Sequence, residues 1–330
     1  MSAPRPVIAA AADAGANSVH LLVAELADDR LQPLADESVF LDLGRTVDVG
    51  GELGPAARDA LAAALAGYAA RARALGAVRL AFVGTEPLRR ARDAAVAAAE
   101  VERLSGVPLL ALSHEEEGWL TALGVTGGRP VSRRMLVVDV GGGSSEFVLV
   151  SPAEEPRVWA LPLGSARLTE RFVRHDPPTA TELVELRAAA REVLDGAPAA
   201  EADELVAVGG TADNLVRIAP AAATDQLLDR SQLAAALAAL AVDPAAVFGA
   251  RHGLNPRRTP LLPAGAAILE AVLRRYRADH LRASEAGIRE GLVLALCRAG
   301  DAWREILPEL VPGRPGRESR RPASGRMQGR

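Results

Sequence analysis

Two carboxylates frame a glycine-rich turn near the middle of the chain. From Met135 to Val150 the sequence runs MLVVDVGGGSSEFVLV, with Asp139 and Glu146 at the edges of the turn. Gly141, Gly142 and Gly143 have no side chain to screen their backbone amides, and such amides can face an anion. The hydroxyls of Ser144 and Ser145 add donors. Carboxylates do not ligate phosphate, so Asp139 and Glu146 imply a divalent cation as the bridge. The same composition also suits a hairpin that merely reverses the chain. A second stretch, Val7 to Val23 (VIAAAADAGANSVHLLV), follows the same plan. Asp13 falls on Asp139, Gly15 on Gly141 and Ser18 on Ser144. This duplication predicts two similar halves, each presenting one phosphate-gripping hairpin to a shared cleft. A third constellation is the triplet Glu115, Glu116 and Glu117. On a helix these point about 100° apart, so only one can aim squarely into a cleft. The triplet also suits an acidic helix N-terminus favoured by the helix dipole.

The elements that position these groups alternate between strand and helix. Each hairpin reads as strand, tight turn, strand. After the first come a strand-like stretch at Glu37 to Leu43, an alanine-rich helix from Pro55, a buried strand at Val78 to Val83, a helix from about Leu88 through Ser105, and a strand at Val107 to Leu112. Ser113 is an N-cap with Glu116 at the capping-box position. The second half repeats the scheme, with strands at 135–140, 145–150, 158–161 and 205–208 and helices near 180–195, 231–241, 263–276 and 287–307. The pattern is α/β. Gly209, Gly210 and Thr211 make a third glycine-rich turn after a strand.

A length of 330 residues accommodates two domains. The Gly/Pro/Arg-rich segment Thr126 to Arg133 marks the boundary. The expected units are 1–128, 129–311 and an arginine-rich tail, 312–330, expected to be disordered. That tail carries six arginines and one glutamate, so the net charge of −4 leaves −9 on the rest. An acidic bulk argues against a broad nucleic-acid surface; contact between the tail and nucleic acid or a partner is the alternative to an inert tail. No apolar run spans a membrane and no signal peptide is evident, so the cytoplasm is the simplest location. The chain has no lysine, which excludes a P-loop. The five histidines show no metal-ligand spacing. The single Cys297 reads as a buried small hydrophobe.

Eight segments in order resemble the exopolyphosphatase / guanosine pentaphosphate phosphatase family. They are DAGANS (13–18), GTEPLRRA (84–91), SHEEEGWL (113–120), VVDVGGGSSEF (137–147), LPLGSARLTE (161–170), VGGTA (208–212), AGAAIL (264–269) and SEAGIREG (284–291). The resemblance spans about residues 7 to 308 and matches short family members without extra C-terminal helical domains. It implies a duplicated fold of the actin–hexokinase–sugar kinase superfamily, with the site between two domains. It implies Mg²⁺-dependent release of terminal orthophosphate from inorganic polyphosphate or from guanosine pentaphosphate. By resemblance, Glu117 is the carboxylate that activates water. Asp139 and Glu146 hold Mg²⁺, with Asp13 in a related role, unless Asp13 only closes its own turn. Asn17, Ser18, Thr85 and Arg89 match phosphate-gripping positions, as do Gly141, Gly142, Gly143, Ser144 and Ser145. Gly209, Gly210 and Thr211 face the phosphate chain or a nucleoside. Arg89 could instead be one of several surface arginines on its helix. Arg258 and Arg289 match family positions and could equally be structural ion-pair partners. Relatives of this kind are commonly homodimers.

The chain departs from the family pattern at several positions. Ala16 replaces a usual serine, His114 a glycine, Gly118 an alanine, Trp119 an arginine and Asp93 an asparagine; Pro87 also departs. Gly118 beside the base is expected to loosen its helix by up to about 1 kcal/mol. These changes leave room for an altered rate, an altered preference, or a non-catalytic sensor of guanosine tetraphosphate or polyphosphate. A sugar kinase or ATPase of the same superfamily is disfavoured, because the base precedes the second hairpin.

Overall fold

The computed structural model describes residues 6–152, 154–219 and 225–313. Its first unit starts as an antiparallel meander of β1 (Val7–Ala14), β2 (Ser18–Ala27) and β3 (Arg30–Phe40). Helices α1 (Leu43–Gly50) and α2 (Gly54–Ala74) lead to β4 (Arg79–Gly84), which runs parallel to β1. The short α3 (Glu86–Arg90) and α4 (Ala94–Ser105) precede β5 (Leu109–Ala111), and α5 (His114–Thr126) follows. The sheet order is β3-β2-β1-β4-β5. Ala9 to Ala12 of β1 are fully buried, as expected of a central strand covered on both faces.

The second unit retraces this path. It comprises β6 (Met135–Val140), β7 (Ser145–Val150), β8 (Arg157–Leu161), α6 (Ser165–Phe172), α7 (Ala180–Asp195), β9 (Glu204–Val208), α8 (Gly210–Ile218), β10 (Leu227–Asp229), α9 (Arg230–Leu240), α10 (Ala245–His252), α11 (Leu262–Arg275) and β11 (His280–Ser284). Its order is β10-β11-β9-β6-β7-β8. Without the edge strand β10 this is the first sheet again, with β6 antiparallel to β7 and parallel to β9. The α/β duplication expected from the two hairpins is therefore present in the topology.

The final helices, α12 (Ile288–Ala299) and α13 (Trp303–Leu310), return towards the start of the chain. Helix α12 packs on β1, β2 and β4, whereas α5 packs on β6, β7 and β8. The packing thus cuts across a sequence division at 128/129. The two helices cross where glycines let their backbones touch. A methyl on Gly124 would lie 2.0 Å from the Gly287 carbonyl oxygen, and one on Gly291 would lie 1.8 Å from that of Leu120. This helix pair forms a layer between the two sheets.

Two helices expected to be continuous are broken. The stretch from Leu88 to Ser105 divides into α3 and α4 because Asp93 leaves the helix to serve another one. Its carboxylate accepts from the backbone N–H of Leu53 at 2.8 Å and Gly54 at 2.9 Å, where α2 begins. These are orphan donors of a helix start, and Asp93 also pairs with Arg58. The stretch 287–307 breaks at Gly300, whose φ of 61° ends α12. Helices α1, α6, α8 and α10 fall where the sequence reading had no helix. Among the described residues no helix is long and apolar enough to cross a membrane. The arginine-rich tail expected from 312 lies, from residue 314 onward, outside the described residues.

Candidate functional site

The two hairpin turns close with the same bond: Gly15 N–H donates to Ser18 O, and Gly141 N–H to Ser144 O, both at 3.0 Å. They also face each other, since a methyl on Gly142 would meet the Asn17 carboxamide at 2.8 Å. The start of α6 braces the second turn: Ser165 N–H donates to Gly141 O and Arg167 N–H to Gly142 O. A cleft of about 200 Å³ lies between the turns. The N-terminus of α8 also enters it, with Gly209 in the left-handed region at φ 87° immediately before. A helix start of this kind offers unpaired N–H groups to an anion.

Of the residues singled out in the sequence, Asn17, Ser18, Thr85, Gly141, Gly142, Gly143, Ser144, Gly209, Gly210 and Thr211 line this cleft. So do Asp13, Glu117, Asp139 and Glu146, with Arg258 and Arg289. Ser145 is placed elsewhere. Side chains alternate along a strand, and the buried Ser145 hydroxyl donates to Leu163 O on the far side of β7. Arg89 stands behind Glu117 rather than in the cleft wall. Glu115 stays exposed, and Glu116 caps Ser113 N–H and binds Arg304, so of the triplet only Glu117 enters the cleft.

The cleft is acidic. Asp13, Glu86, Glu117, Asp139, Glu146, Asp213, Glu285 and Glu290 line it against only two arginines. Burial pushes Asp13 up to about 7, with Glu146 adding to the rise and Arg289 opposing it. Its Oδ1 is buried without a hydrogen-bond partner among the described residues. Burial, then the charges of Glu146, Asp13 and Asp213, raise Asp139 well above the usual carboxylate range. Asp213 is pushed up to about 6, by burial first and Glu285 second. Such crowding of hard oxygen donors fits an Mg²⁺-type ion.

Glu117 lies one turn into α5, 6% exposed. Burial first and the Glu146 charge second raise it well above the ordinary carboxylate value, against the pull of Arg89. Arg89 Nη1 donates to Glu117 Oε2 at 2.6 Å and to Leu112 O at 3.0 Å. Arg89 Nη2 reaches His114 Nδ1 at 3.0 Å, and that atom lies 3.2 Å from Glu146 Oε1. Ser144 Oγ donates to the same Glu146 oxygen at 2.7 Å. His114, Glu117 and Glu146 thus form a cluster with metal-ligand spacing.

The departures at 118 and 119 have packing reasons. A methyl on Gly118 would come within 2.7 Å of Val158 and 2.9 Å of Val148, so Gly118 lets α5 sit against β7 and β8. Trp119 is half-buried and packs on the core between the sheets.

Several site residues escaped the sequence reading. Glu86, buried between Thr85 and Arg89, accepts from Arg90 Nη1 at 2.5 Å and Arg167 Nη2 at 2.9 Å. Asp48 joins both arginines, at 2.6 and 3.5 Å. This ion-pair group links α1 and α3 of the first unit to α6 of the second. His20 stands opposite Asp13 as Glu146 stands opposite Asp139. It accepts from Arg258 at 2.8 Å, and burial followed by Arg289 and Arg258 holds it neutral, down to about 3. The signal for Glu86 and Arg167 was their place inside matched segments; His20 and Arg258 are separated too widely for any local pattern to join them.

The family profile of the Ppx/GppA phosphatases matches residues 22–299. The chain belongs to the Ppx/GppA phosphatase family. Exopolyphosphatase 1 of Mycobacterium tuberculosis is 29% identical over 296 residues, 86% of each chain. The guanosine-5'-triphosphate,3'-diphosphate pyrophosphatase of Vibrio cholerae is 31% identical over 186 residues, 56% of this chain and 37% of that protein. Among solved structures, the Aquifex aeolicus Ppx/GppA family member superposes with a TM-score of 0.77 at 26% identity, covering 90% of this chain and 99% of that one. An exopolyphosphatase from Cytophaga hutchinsonii has the same fold, with a TM-score of 0.78 at 21% identity over 88% of this chain and 98% of that one.

Proposed function

We propose that the protein is a Mg²⁺-dependent phosphohydrolase that removes terminal orthophosphate from inorganic polyphosphate. The observation that carries this reading is Glu117: a buried carboxylate with a raised proton affinity, in a cleft between two facing glycine-rich turns. The exopolyphosphatase relatives supply the substrate class.

In this reading the turn amides, the α8 N-terminus and the Asn17, Ser18, Thr85, Ser144 and Thr211 side chains hold the terminal phosphates. Water attacks the terminal phosphorus in line with the bridging oxygen. Glu117 takes the proton from that water as the bond to the bridging oxygen breaks, and a shortened chain leaves. The high proton affinity of Glu117 suits it to this role. Asp139 and Glu146 would hold Mg²⁺, with Asp13 facing them; the ion supplies charge neutralisation on the phosphates. Arg258 and Arg289 offset part of the remaining negative charge. A cavity of about 520 Å³, walled by Arg45 and Arg257, adjoins the cleft at Asn17 and Leu261 and gives the rest of the substrate room.

Guanosine pentaphosphate is the second reading, favoured by the Vibrio cholerae relative. A phosphate-release assay on purified protein separates the readings. Long polyphosphate, guanosine pentaphosphate and ATP are each supplied with Mg²⁺ or with chelator. Release should depend on Mg²⁺ and be fastest from polyphosphate. Release from guanosine pentaphosphate alone would transfer the assignment to the second reading. Tight binding without release from any substrate would make the protein a sensor.

A further inference from the structure

His114 brings a nitrogen ligand to a carboxylate cluster that otherwise offers only oxygens. One ring nitrogen of His114 and one oxygen each of Glu117 and Glu146 all lie within 4.8 Å of one another. Nδ1 and Glu146 Oε1 are 3.2 Å apart. Neighbouring ligands of a tetrahedral ion bound at about 2.0–2.2 Å are separated by about 3.3–3.5 Å. All three atoms are turned towards one positive group, the Arg89 guanidinium, at 2.6 Å from Glu117, 3.0 Å from His114 and 3.7 Å from Glu146. His114 Nδ1 thus sits between the Arg89 guanidinium and Glu146 Oε1. His114 lines a side cavity of about 280 Å³ together with Arg89 and Ser144, whereas Glu117 and Glu146 line the phosphate cleft, so the cluster lies between the two.

We infer that His114, Glu117 and Glu146 form a site for a borderline transition-metal dication, of which Zn²⁺ is the type, in competition with the Arg89 guanidinium. Imidazole with two carboxylates suits Zn²⁺ over Mg²⁺, which favours all-oxygen shells. Occupancy ties up the Glu117 oxygen and Glu146, so the metal inhibits phosphate release. The inhibition rests on Glu117 being the catalytic base; the binding does not.

The test is titration of the full-length, chelator-stripped protein with Zn²⁺ alone against a chromophoric chelator. Wild type should bind one ion at this site. His114→Ala should weaken that ion by at least about tenfold, since even outer-shell partners cost about 10–100-fold when lost. Arg89→Ala should tighten it, because the competing cation is gone. Should Arg89→Ala not fold, Co²⁺ decides: its visible absorption in wild type should report a nitrogen-containing low-coordinate site, absent in His114→Ala. Unchanged affinity in His114→Ala, or no bound Zn²⁺ in wild type, would overturn the site. Zn²⁺ binding through His114 without loss of Mg²⁺-supported activity would uphold the site and instead count against Glu117 as the base.

Discussion

At the scale of single residues, the site is a balance between crowded carboxylates and a few cations. Asp13 gives the clearest reading of that balance. Burial raises its pKa from the ordinary carboxylate value of about 4 to about 7, so the folded state holds a proton that the unfolded state has lost in that interval. Its contribution to stability is therefore present below about pH 4 and is lost as pH rises through about 7. His20, held neutral with an affinity lowered to about 3, acts in the opposite sense below 6.5, so the comparison needs a variant. Asp13→Asn should be stabilised relative to wild type by an amount that grows from pH 4 to pH 7 in chelator, and Mg²⁺ should narrow the gap; a pH-independent difference in melting temperature would refute the assignment. The pairing of Asp13 with Asp139 was legible because hairpin spacing is local. Ser145 was misread because two adjacent serines on a strand face opposite ways, and only one can meet the cleft. His114 and Arg89 revealed their shared role only when α3 and α5 met in space.

At the scale of elements, capping boxes and hairpins were readable and helix breaks were not. Ser113 and Glu116 form the expected reciprocal cap of α5, because both partners lie within one turn. The gap between α3 and α4 depends on Asp93 reaching the start of α2, forty residues away, which no local preference encodes. Gly118 shows the same contrast. Read locally it loosens α5; in the fold it is the contact surface that seats the helix against Val148 and Val158. Gly118→Ala should therefore destabilise by about 1–3 kcal/mol, despite better helix propensity. Urea unfolding checks this, and Val158→Ala in the same chain should restore much of the loss. A stabilised Gly118→Ala protein would mean that α5 does not press on β8.

At the scale of the whole molecule, two copies of one strand order face each other across α5 and α12. The duplication was visible in the sequence because each hairpin repeats Asp, Gly and Ser at the same spacing. The return of α12 to the first sheet was not, since it is decided by backbone contact at Gly124, Gly287 and Gly291. A side chain at Gly291 meets the Leu120 carbonyl, which cannot yield as a flexible side chain would. Gly291→Ala should cost at least the about 1–3 kcal/mol typical of overpacking, read as a lower urea midpoint; an unchanged midpoint would show that the helix crossing is looser than described. The Asp48, Glu86, Arg90 and Arg167 group also ties the units together. Arg167→Ala should raise amide exchange in α6 and weaken substrate affinity, and equal exchange and affinity would leave that group without a role in holding the cleft. We propose that the cleft hydrolyses phosphate chains through Glu117. The most direct measurement is phosphate release from polyphosphate by Glu117→Gln, with binding measured on the same preparation. Turnover should fall by about 10²–10⁴-fold with binding retained; turnover near that of wild type would remove Glu117 as the base.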